Sequence, residues 1–292
     1  MKLGIASTFG SSARRDIGFL KEYAVACEEV GFDALYAPEH VVFFSKYDSK
    51  YPYTPDGAPS FPPDVGLYDP LMVCAVAATV TTTLRLATSV LILPERPALL
   101  TAKEVMTLDH ISGGRFDLGV GLGWSAEEFA ALGIPWPRRG KRTDEYIEAI
   151  RAAWTKPIAE YHGEFVQFEN AVLRPAPVNG TVPIIVGGDS PGAMRRAARL
   201  GDGWYGWWAG VEIEEHLGKL RAIMAEEGRE QGPEWSLRFG LPIGAESPDQ
   251  VATMAAQARD LGVDEFVAGP AIPTRDFDGH LRRWADALAS AR

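Results

Sequence analysis

The stretch YAPEHV, residues 36–41, places a carboxylate and an imidazole side by side where an apolar run ends, at Glu39 and His40. An imidazole changes charge near neutral pH, so His40 can supply or accept a proton during a reaction. A lone histidine more often has a structural role than a catalytic one. At the end of a predicted strand and beside an acidic residue, the two roles become about equally frequent. The five histidines share no metal-ligand spacing, and we predict no metal site.

Two glycine-rich segments also follow apolar runs. GVGLGW, residues 119–124, spaces its glycines as G-x-G-x-G and not as the G-x-G-x-x-G of a Rossmann site, and we interpret them as room for a flat ring. In VGGDSPGAM, Gly187 and Gly188 allow the backbone to approach an anion. Asp189 or Ser190 can cap the next helix, whose free N–H groups attract a phosphate. A plain tight turn explains this second pattern equally well.

Composition and the remaining motifs argue against several classes of protein. The net charge of −10 argues against a nucleic-acid partner, which needs clustered lysine and arginine. The apolar runs are too short to predict a membrane span, and the N-terminus has the pattern of a strand and not of a signal peptide. No GxSxG motif occurs, which disfavours covalent hydrolysis. Cys27 and Cys74 lie in apolar helical stretches, as buried thiols of a cytoplasmic protein do.

The dominant pattern is a β-rich apolar run followed by an amphipathic helical segment, repeated eight times. The predicted strands are Leu3–Ser7, Ala34–Pro38, Arg85–Leu93, Arg115–Gly121, Pro183–Gly187, Gly203–Trp207, Ser236–Pro242 and Glu265–Ala268. The predicted helices are Arg14–Val30, Pro70–Val80, Pro97–His110, Lys141–Trp154, Pro191–Leu200, Ile213–Glu227, Asp249–Leu261 and Asp276–Ala289. Strands this apolar indicate a parallel sheet covered by helices, and we predict one α/β domain over residues 1–292, a (β/α)8 TIM barrel. A doubly wound open sheet is the alternative.

Two segments interrupt this alternation. A long loop between Val41 and Asp69, rich in proline, tyrosine and phenylalanine, follows the second predicted strand, and long loops in compact domains are more often functional than neutral. The segment Ile158–Pro177 alternates in polarity around His162-Gly163, which predicts a hairpin inserted before the fifth strand.

In a parallel barrel every strand has its C-terminal end at the same rim, where barrel enzymes carry out their chemistry. Residues 39–40, 89–90, 119–124 and 187–190 are therefore predicted to share one site. Aromatic residues near these strand ends suit a planar ligand or an apolar substrate, although each alone is more often packing. They are Phe43, Phe44, Tyr47, Tyr51, Tyr53, Trp124, Trp204, Tyr205, Trp207 and Trp208.

Four stretches of the sequence resemble the bacterial luciferase-like family, a set of (β/α)8 flavin and deazaflavin oxidoreductases. They are YAPEHVVF, the segment from YDPLMVCAVAATV to LDHISGGRFDLGVGLGW, RGKRTDEYIEAIRAAW, and VPIIVGGDSPGAMRRAARLGDGW, which are spread over residues 36–204. LDHISGGRFDLGVGLGW is highly specific to the family. Glu39-His40 together with YPYTPDG resembles the branch that uses coenzyme F420. The resemblance also implies a homodimer that acts on a small-molecule substrate.

The resemblance implies roles for individual residues near the cofactor ring. His40 matches the histidine that assists proton transfer at the reactive ring, and Glu39 matches the acidic position that contacts the cofactor. Ser89-Val90 matches a pair that forms a non-prolyl cis peptide behind the deazaflavin ring.

The resemblance places the rest of the cofactor along two glycine-rich segments. Gly121, Gly123 and Trp124 match the pocket wall. The four residues of the other segment match the part that receives the cofactor's phosphate region: Gly187, Gly188, Asp189 and Ser190.

One position departs from a close subgroup of the family. Its sugar-phosphate dehydrogenases carry a catalytic glutamate where this chain has Leu122, and Glu127 and Glu128 come later, in a predicted helix. A sugar-phosphate substrate is therefore disfavoured. The leading hypothesis is an oxidoreductase that transfers a hydride between F420 and a small organic substrate, and the alternative is an FMN-dependent monooxygenase that uses reduced flavin and O2. A non-catalytic cofactor-binding protein and a barrel hydrolase or isomerase are further alternatives.

Overall fold

The computed structural model describes residues 1–10, 14–59, 66–208, 213–230, 232, 234–241, 247–271 and 273–292. Residues 60–65 of the predicted long loop lie outside the described residues, as does Pro242 at the end of the seventh predicted strand. The strands are β1 (Lys2–Ala6), β2 (Ala34–Ala37), β3 (Arg85–Thr88), β4 (Leu91–Ile92), β5 (Phe116–Gly121), β6 (Ala159–His162), β7 (Gln167–Ala171), β8 (Ile184–Gly187), β9 (Gly203–Trp207), β10 (Ser236–Gly240) and β11 (Glu265–Ala268).

Eight strands close into a parallel barrel in the order β1-β2-β3-β5-β8-β9-β10-β11, and β11 pairs back onto β1. The short β4 continues the line of β3 and pairs with β5. The TIM-barrel prediction is confirmed, and the open sheet is excluded by the pairing that closes the ring. The third predicted strand, Arg85–Leu93, is not continuous, because the chain leaves the sheet between β3 and β4.

Helices cover the outside of this barrel. They are α1 (Ile17–Glu29), α2 (Pro70–Ala78), α3 (Ala98–Ser112), α4 (Ala126–Ala131), α5 (Arg139–Thr155), α6 (Pro191–Leu200), α7 (Ile213–Glu226), α8 (Pro248–Asp260) and α9 (Phe277–Leu288). The eight predicted helices are all present, and the short α4 holds Glu127 and Glu128 as expected. Several begin at a side-chain cap, such as Asp69 before α2 and Ser247 before α8. None of the described helices is long and apolar enough to cross a membrane.

The hairpin inserted before the fifth barrel strand is also confirmed. Strands β6 and β7 pair antiparallel, with Tyr161 opposite Phe168, and they form a separate two-stranded sheet. Their rings lie 6.4 Å apart, and the hydroxyl of Tyr161 donates to Glu148 on α5 at 2.6 Å. The hairpin therefore lies along α5, outside the barrel wall.

The apolar core has two parts. A large layer fills the space between the barrel and its helices, and it includes the buried thiols Cys27 and Cys74. A smaller group fills the barrel interior, where Tyr36 and Tyr205 stack with ring centroids 5.7 Å apart. This interior group packs beneath the C-terminal ends of the strands and supports the residues at those ends.

Gly119 in β5 has no room for a side chain, because an added Cβ would overlap the carbonyl oxygen of Thr88 in the neighbouring strand. We predict that Gly119→Ala lowers the free energy of unfolding by about 1–3 kcal/mol, since the strands must separate to admit the methyl group. Gly218→Ala, in the middle of α7, meets nothing within 4 Å and should instead stabilise the protein by about 0.5–1 kcal/mol. Urea unfolding of both variants measures the two effects, and equal changes would contradict the packing argument.

Candidate active site

The structure brings the four predicted groups together at the C-terminal end of the barrel, here called the mouth. Residues 39–40 follow β2, residues 89–90 lie between β3 and β4, residues 119–124 end β5, and residues 187–190 leave β8. Three contacts link these groups directly. The side chain of Val90 lies against both Gly121 and Gly187, and the indole of Trp124 donates to His40 at 3.1 Å.

Each ring nitrogen of His40 has a partner among the described residues. Its Nδ1 lies 2.8 Å from Oε2 of Glu128, and its Nε2 accepts a hydrogen bond from the indole Nε1–H of Trp124 at 3.1 Å. A neutral ring with its proton on Nδ1 satisfies both contacts, because a carboxylate can only accept and an indole can only donate. Nε2 is then the basic atom, and the carboxylate behind the ring can stabilise the imidazolium that forms when Nε2 takes up a proton.

Glu128 is the site residue that sequence reasoning missed. Its side chain is buried, and its Oε1 accepts the backbone N–H groups of Val41 at 2.6 Å and Val42 at 3.3 Å while Oε2 faces His40. The sequence SAEE, starting at Ser125, carries the capping-box pattern, which predicts that the glutamate turns back to its own helix start. Ser125 does cap α4, but the Glu128 side chain reaches the loop after β2 instead.

The neighbouring Glu127 fixes a later part of the same loop. Its Oε1 accepts the backbone N–H groups of Asp48 at 2.6 Å and Ser49 at 3.0 Å. Partial burial opposes ionisation, but the N–H groups of Ser49 and Asp48 outweigh it and lower the pKa of Glu127 to about 2. Two consecutive carboxylates therefore attach residues 41–49 to the start of α4.

Glu39 is enclosed by protein groups. One carboxylate oxygen accepts the backbone N–H of Ile92, and the other accepts from the guanidinium of Arg96, which also binds Asp69. Burial raises the pKa of Glu39 above its usual value, and the Arg96 charge only partly offsets this. The carboxylate thus ties the end of β2 to the end of β4, and its contact with a cofactor stays a prediction.

The peptide bond between Ser89 and Val90 is cis, as the resemblance led us to expect. The interpretation of the glycines as room for a ring needs a correction at this point. A Cβ at Gly121 would collide with a methyl group of Val90, so the space beside this glycine of GVGLGW is taken by Val90 itself. A Cβ at Gly187, which was predicted to let the backbone approach an anion, would meet the same side chain. The hydroxyl of Ser89 is buried and has no hydrogen-bond partner among the described residues, which leaves a polar atom for a bound ligand to satisfy.

The turn after β8 is built as a glycine junction leading into a helix. Gly188 has a φ of +114°, which favours glycine, and Ser190 caps α6 by accepting the Ala193 N–H at 3.2 Å. Asp189 is not the cap. Its carboxylate accepts the Trp207 N–H at 3.2 Å and lies 3.6 Å from Nε2 of His216, and burial raises its pKa. The N-terminus of α6 and the orphan Ser89 hydroxyl together fit a flat polar ring with a phosphate-bearing tail.

Aromatic side chains from the long loop cross the mouth. Tyr51 lies 5.1 Å from Trp124 and 5.4 Å from Tyr53, and Tyr53 lies 5.8 Å from Trp207, each distance joining ring centroids. These four residues, here called the aromatic arch, connect the end of β5 to the end of β9. An aromatic cover of this kind removes water from the space beneath it, which strengthens electrostatic interactions there.

Not all of the predicted aromatic residues face the mouth. Tyr205 and Trp207 lie on the inner face of the barrel, where Trp207 joins the aromatic arch, whereas Trp204 is fully buried in the outer layer and Trp208 packs against that layer. Alternate residues of a strand point to opposite faces, so the two-residue period of β9 could have separated its inward-facing from its outward-facing aromatic residues. Among the described residues, no group of three or more His, Cys, Asp or Glu side chains could hold a metal ion.

Comparison with known proteins agrees with this geometry. A family model described as luciferase-like monooxygenase matches residues 1–291 of the chain. The chain belongs to the luciferase-like monooxygenase family. An uncharacterised protein of Mycobacterium tuberculosis is 36% identical over 264 residues, covering 90% of this chain and 88% of that relative. Proteins similar to this chain are named for different cofactors, so membership of the family gives an oxidoreductase-type enzyme and leaves the cofactor open.

Two further similarities illustrate that range. The FMNH2-dependent dimethylsulfone monooxygenase of Pseudomonas putida is 31% identical over 218 residues, which covers 73% of this chain and 55% of that enzyme. The structure of an F420-dependent secondary alcohol dehydrogenase, in complex with an F420-acetone adduct, superposes with a TM-score of 0.77 at 15% identity, covering 100% of this chain and 99% of that one. At that identity the structural likeness concerns the fold alone.

Proposed function

We propose that this luciferase-like enzyme transfers a hydride between coenzyme F420 and a small organic substrate, with His40 moving the accompanying proton. The observation that carries the proposal is the placement of the His40 imidazole at the mouth, backed by the buried carboxylate of Glu128. A proton carrier at this point is what a reaction that couples hydride and proton transfer requires.

The residues of the chain have separate tasks in this mechanism. The cofactor, when bound, supplies the hydride chemistry. Gly187, Gly188 and the start of α6 would hold its phosphate region, and Val90 would support the ring. His40 takes up a proton at Nε2 once the Trp124 indole moves aside, and Glu128 keeps the ring oriented through Nδ1. The aromatic arch limits the access of water.

The alternative is an FMN-dependent monooxygenase that uses reduced flavin and O2. The similarity to the FMNH2-dependent dimethylsulfone monooxygenase favours this second candidate. The same mouth residues would serve it, since a flavin and a deazaflavin share a tricyclic ring and a phosphate-bearing tail.

Cofactor binding distinguishes these two candidates. We predict that the purified apoprotein, titrated separately with F420 and with FMN, binds F420 more tightly, as measured by the change in cofactor absorbance and fluorescence. Tight binding of FMN with no binding of F420 would overturn the F420 assignment. Uptake of neither cofactor would contradict both candidates and favour a barrel hydrolase or isomerase. Binding without turnover on any tested substrate would favour a cofactor-storage protein.

A cytoplasmic location and a homodimer also belong to this proposal. The two buried free thiols suit a reducing compartment. Met72 on α2 and Leu100 on the adjacent α3 are both more than half exposed, and they offer apolar surface for contact with a second copy.

A further inference from the structure

The end of β4 carries more carboxyl groups than the cations there can pair. The guanidinium of Arg96 contacts Glu39 and Asp69 and lies 3.8 Å from Glu104, while the imidazole of His40 contacts Glu128. Each of these two cationic or basic groups is therefore already engaged. Within the described part of the chain, a further carboxyl group in the same place has no cation left to neutralise it.

Glu95 is that further carboxyl group. It ends the 3-10 turn Leu93–Glu95 that follows β4, between Ile92, whose N–H binds Glu39, and Arg96. The residue is only 7% exposed, and both carboxyl oxygens are buried with no hydrogen-bond partner among the described residues. A buried carboxylate without a donor costs far more free energy than the neutral acid, so Glu95 holds its proton at neutral pH.

Electrostatic surroundings point the same way. Burial, followed by the negative charges of Glu128 and Glu39, raises the pKa of Glu95 to about 9, and the Arg96 charge lowers it only in part. Glu39 and Glu128 also hold residues of the mouth in position: Glu39 ties β2 to β4, and Glu128 holds His40.

We propose that Glu95 is a positioning residue of the active site: as a neutral acid it lets Glu128 hold His40 and residues 41–42, and the ionisation of Glu95 releases them. The inference deepens the proposed function, and it rests on that function only for its effect on turnover. Glu95 acts through Glu128 and does not itself contact the reacting atoms.

The other charged groups packed around this turn are held by contacts of their own, so Glu128 is the group that must move when Glu95 ionises. Arg96 and Glu39 hold each other, and α5, which packs on the turn, has its buried Arg142 and Glu145 engaged with Pro135 and Phe165. Glu128 is carried by α4, which has only six residues. A negative charge on Glu95 would therefore be relieved by movement of α4, and this movement breaks the contacts of Glu128 with His40 and with the loop.

The sign of the pH dependence follows from the raised pKa. The site is here called closed when Glu128 holds His40 and residues 41–42, and open when these contacts are broken. Glu95 binds its proton more tightly in the closed site, with a pKa of about 9, than in the open site, where the ordinary value of 4.5 applies. The closed arrangement is thus most favoured below the ordinary value and loses this advantage as pH rises to about 9. One proton is released on opening, so the population of open sites should grow by up to about tenfold per pH unit.

Hydrogen exchange tests the proposal directly, because Glu128 accepts the amides of Val41 and Val42. In the wild-type protein we expect the protection factors of these amides, corrected for intrinsic exchange, to fall by about tenfold per pH unit between pH 6 and pH 9. In Glu95→Gln, which is neutral at every pH, they should stay level. Glu160→Gln, which removes an exposed carboxylate on β6, should behave as wild type.

Two results would overturn the proposal. One is an equal fall in protection for the wild type and Glu95→Gln. The other is an ionised Glu95 at pH 7, seen as the absence of a protonated-carboxyl band in the infrared difference spectrum between wild type and variant. Should Glu95→Gln fail to fold, Glu95→Leu supplies a second neutral variant for both measurements.

These measurements need no cofactor or substrate. A failure to bind F420 would therefore remove the proposed function and leave the exchange and infrared results intact. If the proposed function holds as well, the wild type should lose turnover toward pH 9 and Glu95→Gln should keep it.

Discussion

Replacing His40 with alanine is expected to lower turnover by about 10²–10⁴-fold while leaving cofactor affinity within a few-fold. The methyl side chain cannot carry a proton, and the other imidazole beside a carboxylate at the mouth, His216, lies 3.6 Å from Asp189, beyond hydrogen-bonding distance. The cofactor contacts proposed for residues 187–190 lie on a different strand end and should persist. Steady-state kinetics with F420 and a reactive substrate, together with a binding titration, separates the two effects.

His110→Ala is the matched control for this prediction. His110 lies exposed near the end of α3 and contacts only the carbonyl of Ala176 among the hydrogen bonds described, at 2.8 Å. Its loss should leave turnover unchanged. A His40→Ala variant with full activity would assign the proton transfer to another group, and a variant with lost cofactor binding would make His40 a binding residue.

The fold could be predicted from the sequence because each barrel strand is an apolar run that ends at a recognisable turn. Pairing rules then bring every strand's C-terminal end to one rim, so the placement of residues 39–40 and residues 187–190 at the same rim followed without coordinates. The break at Ser89-Val90 came from the family resemblance and not from the residues themselves, since serine and valine alone do not indicate a cis bond.

The partners of the site residues could not be predicted in the same way. Glu128 meets His40 across 88 positions of sequence, and the capping pattern around Ser125 suggested a different target for its carboxylate. The pairing of Glu39 with Arg96, and the exclusion of Glu95 from any pairing, depend on side-chain directions at the ends of two strands. The packing of the folded protein decides which of these side chains pair, and the sequence shows only which residues are present to form the pairs.

The charged network inside the barrel gives the largest predicted effect on stability. Arg238 is buried and donates to Asp117 at 2.8 Å and to the hydroxyl of Tyr36 at 3.0 Å, and its Nε lies 3.7 Å from Glu265. Arg85 is the second guanidinium bound to Asp117. The network joins β2, β3, β5, β10 and β11 beneath the mouth, so its loss should loosen the support of the strand ends.

We predict that Arg238→Met lowers the free energy of unfolding by about 3–5 kcal/mol at pH 7, because Glu265 and Asp117 are left buried with too little positive charge. Burial alone would raise the pKa of Asp117, but Arg238 and Arg85 outweigh it and lower that pKa. The pairing therefore stabilises the protein above the ordinary pKa of an aspartate and is lost as pH falls through the lowered value. The difference between wild type and variant, measured by urea unfolding, should narrow as pH falls below about 4. Arg195→Met, which removes an exposed pairing with Glu226 and Glu227, should cost at most about 1 kcal/mol, and an equal cost for both variants would show that the interior network contributes no more than a surface pair.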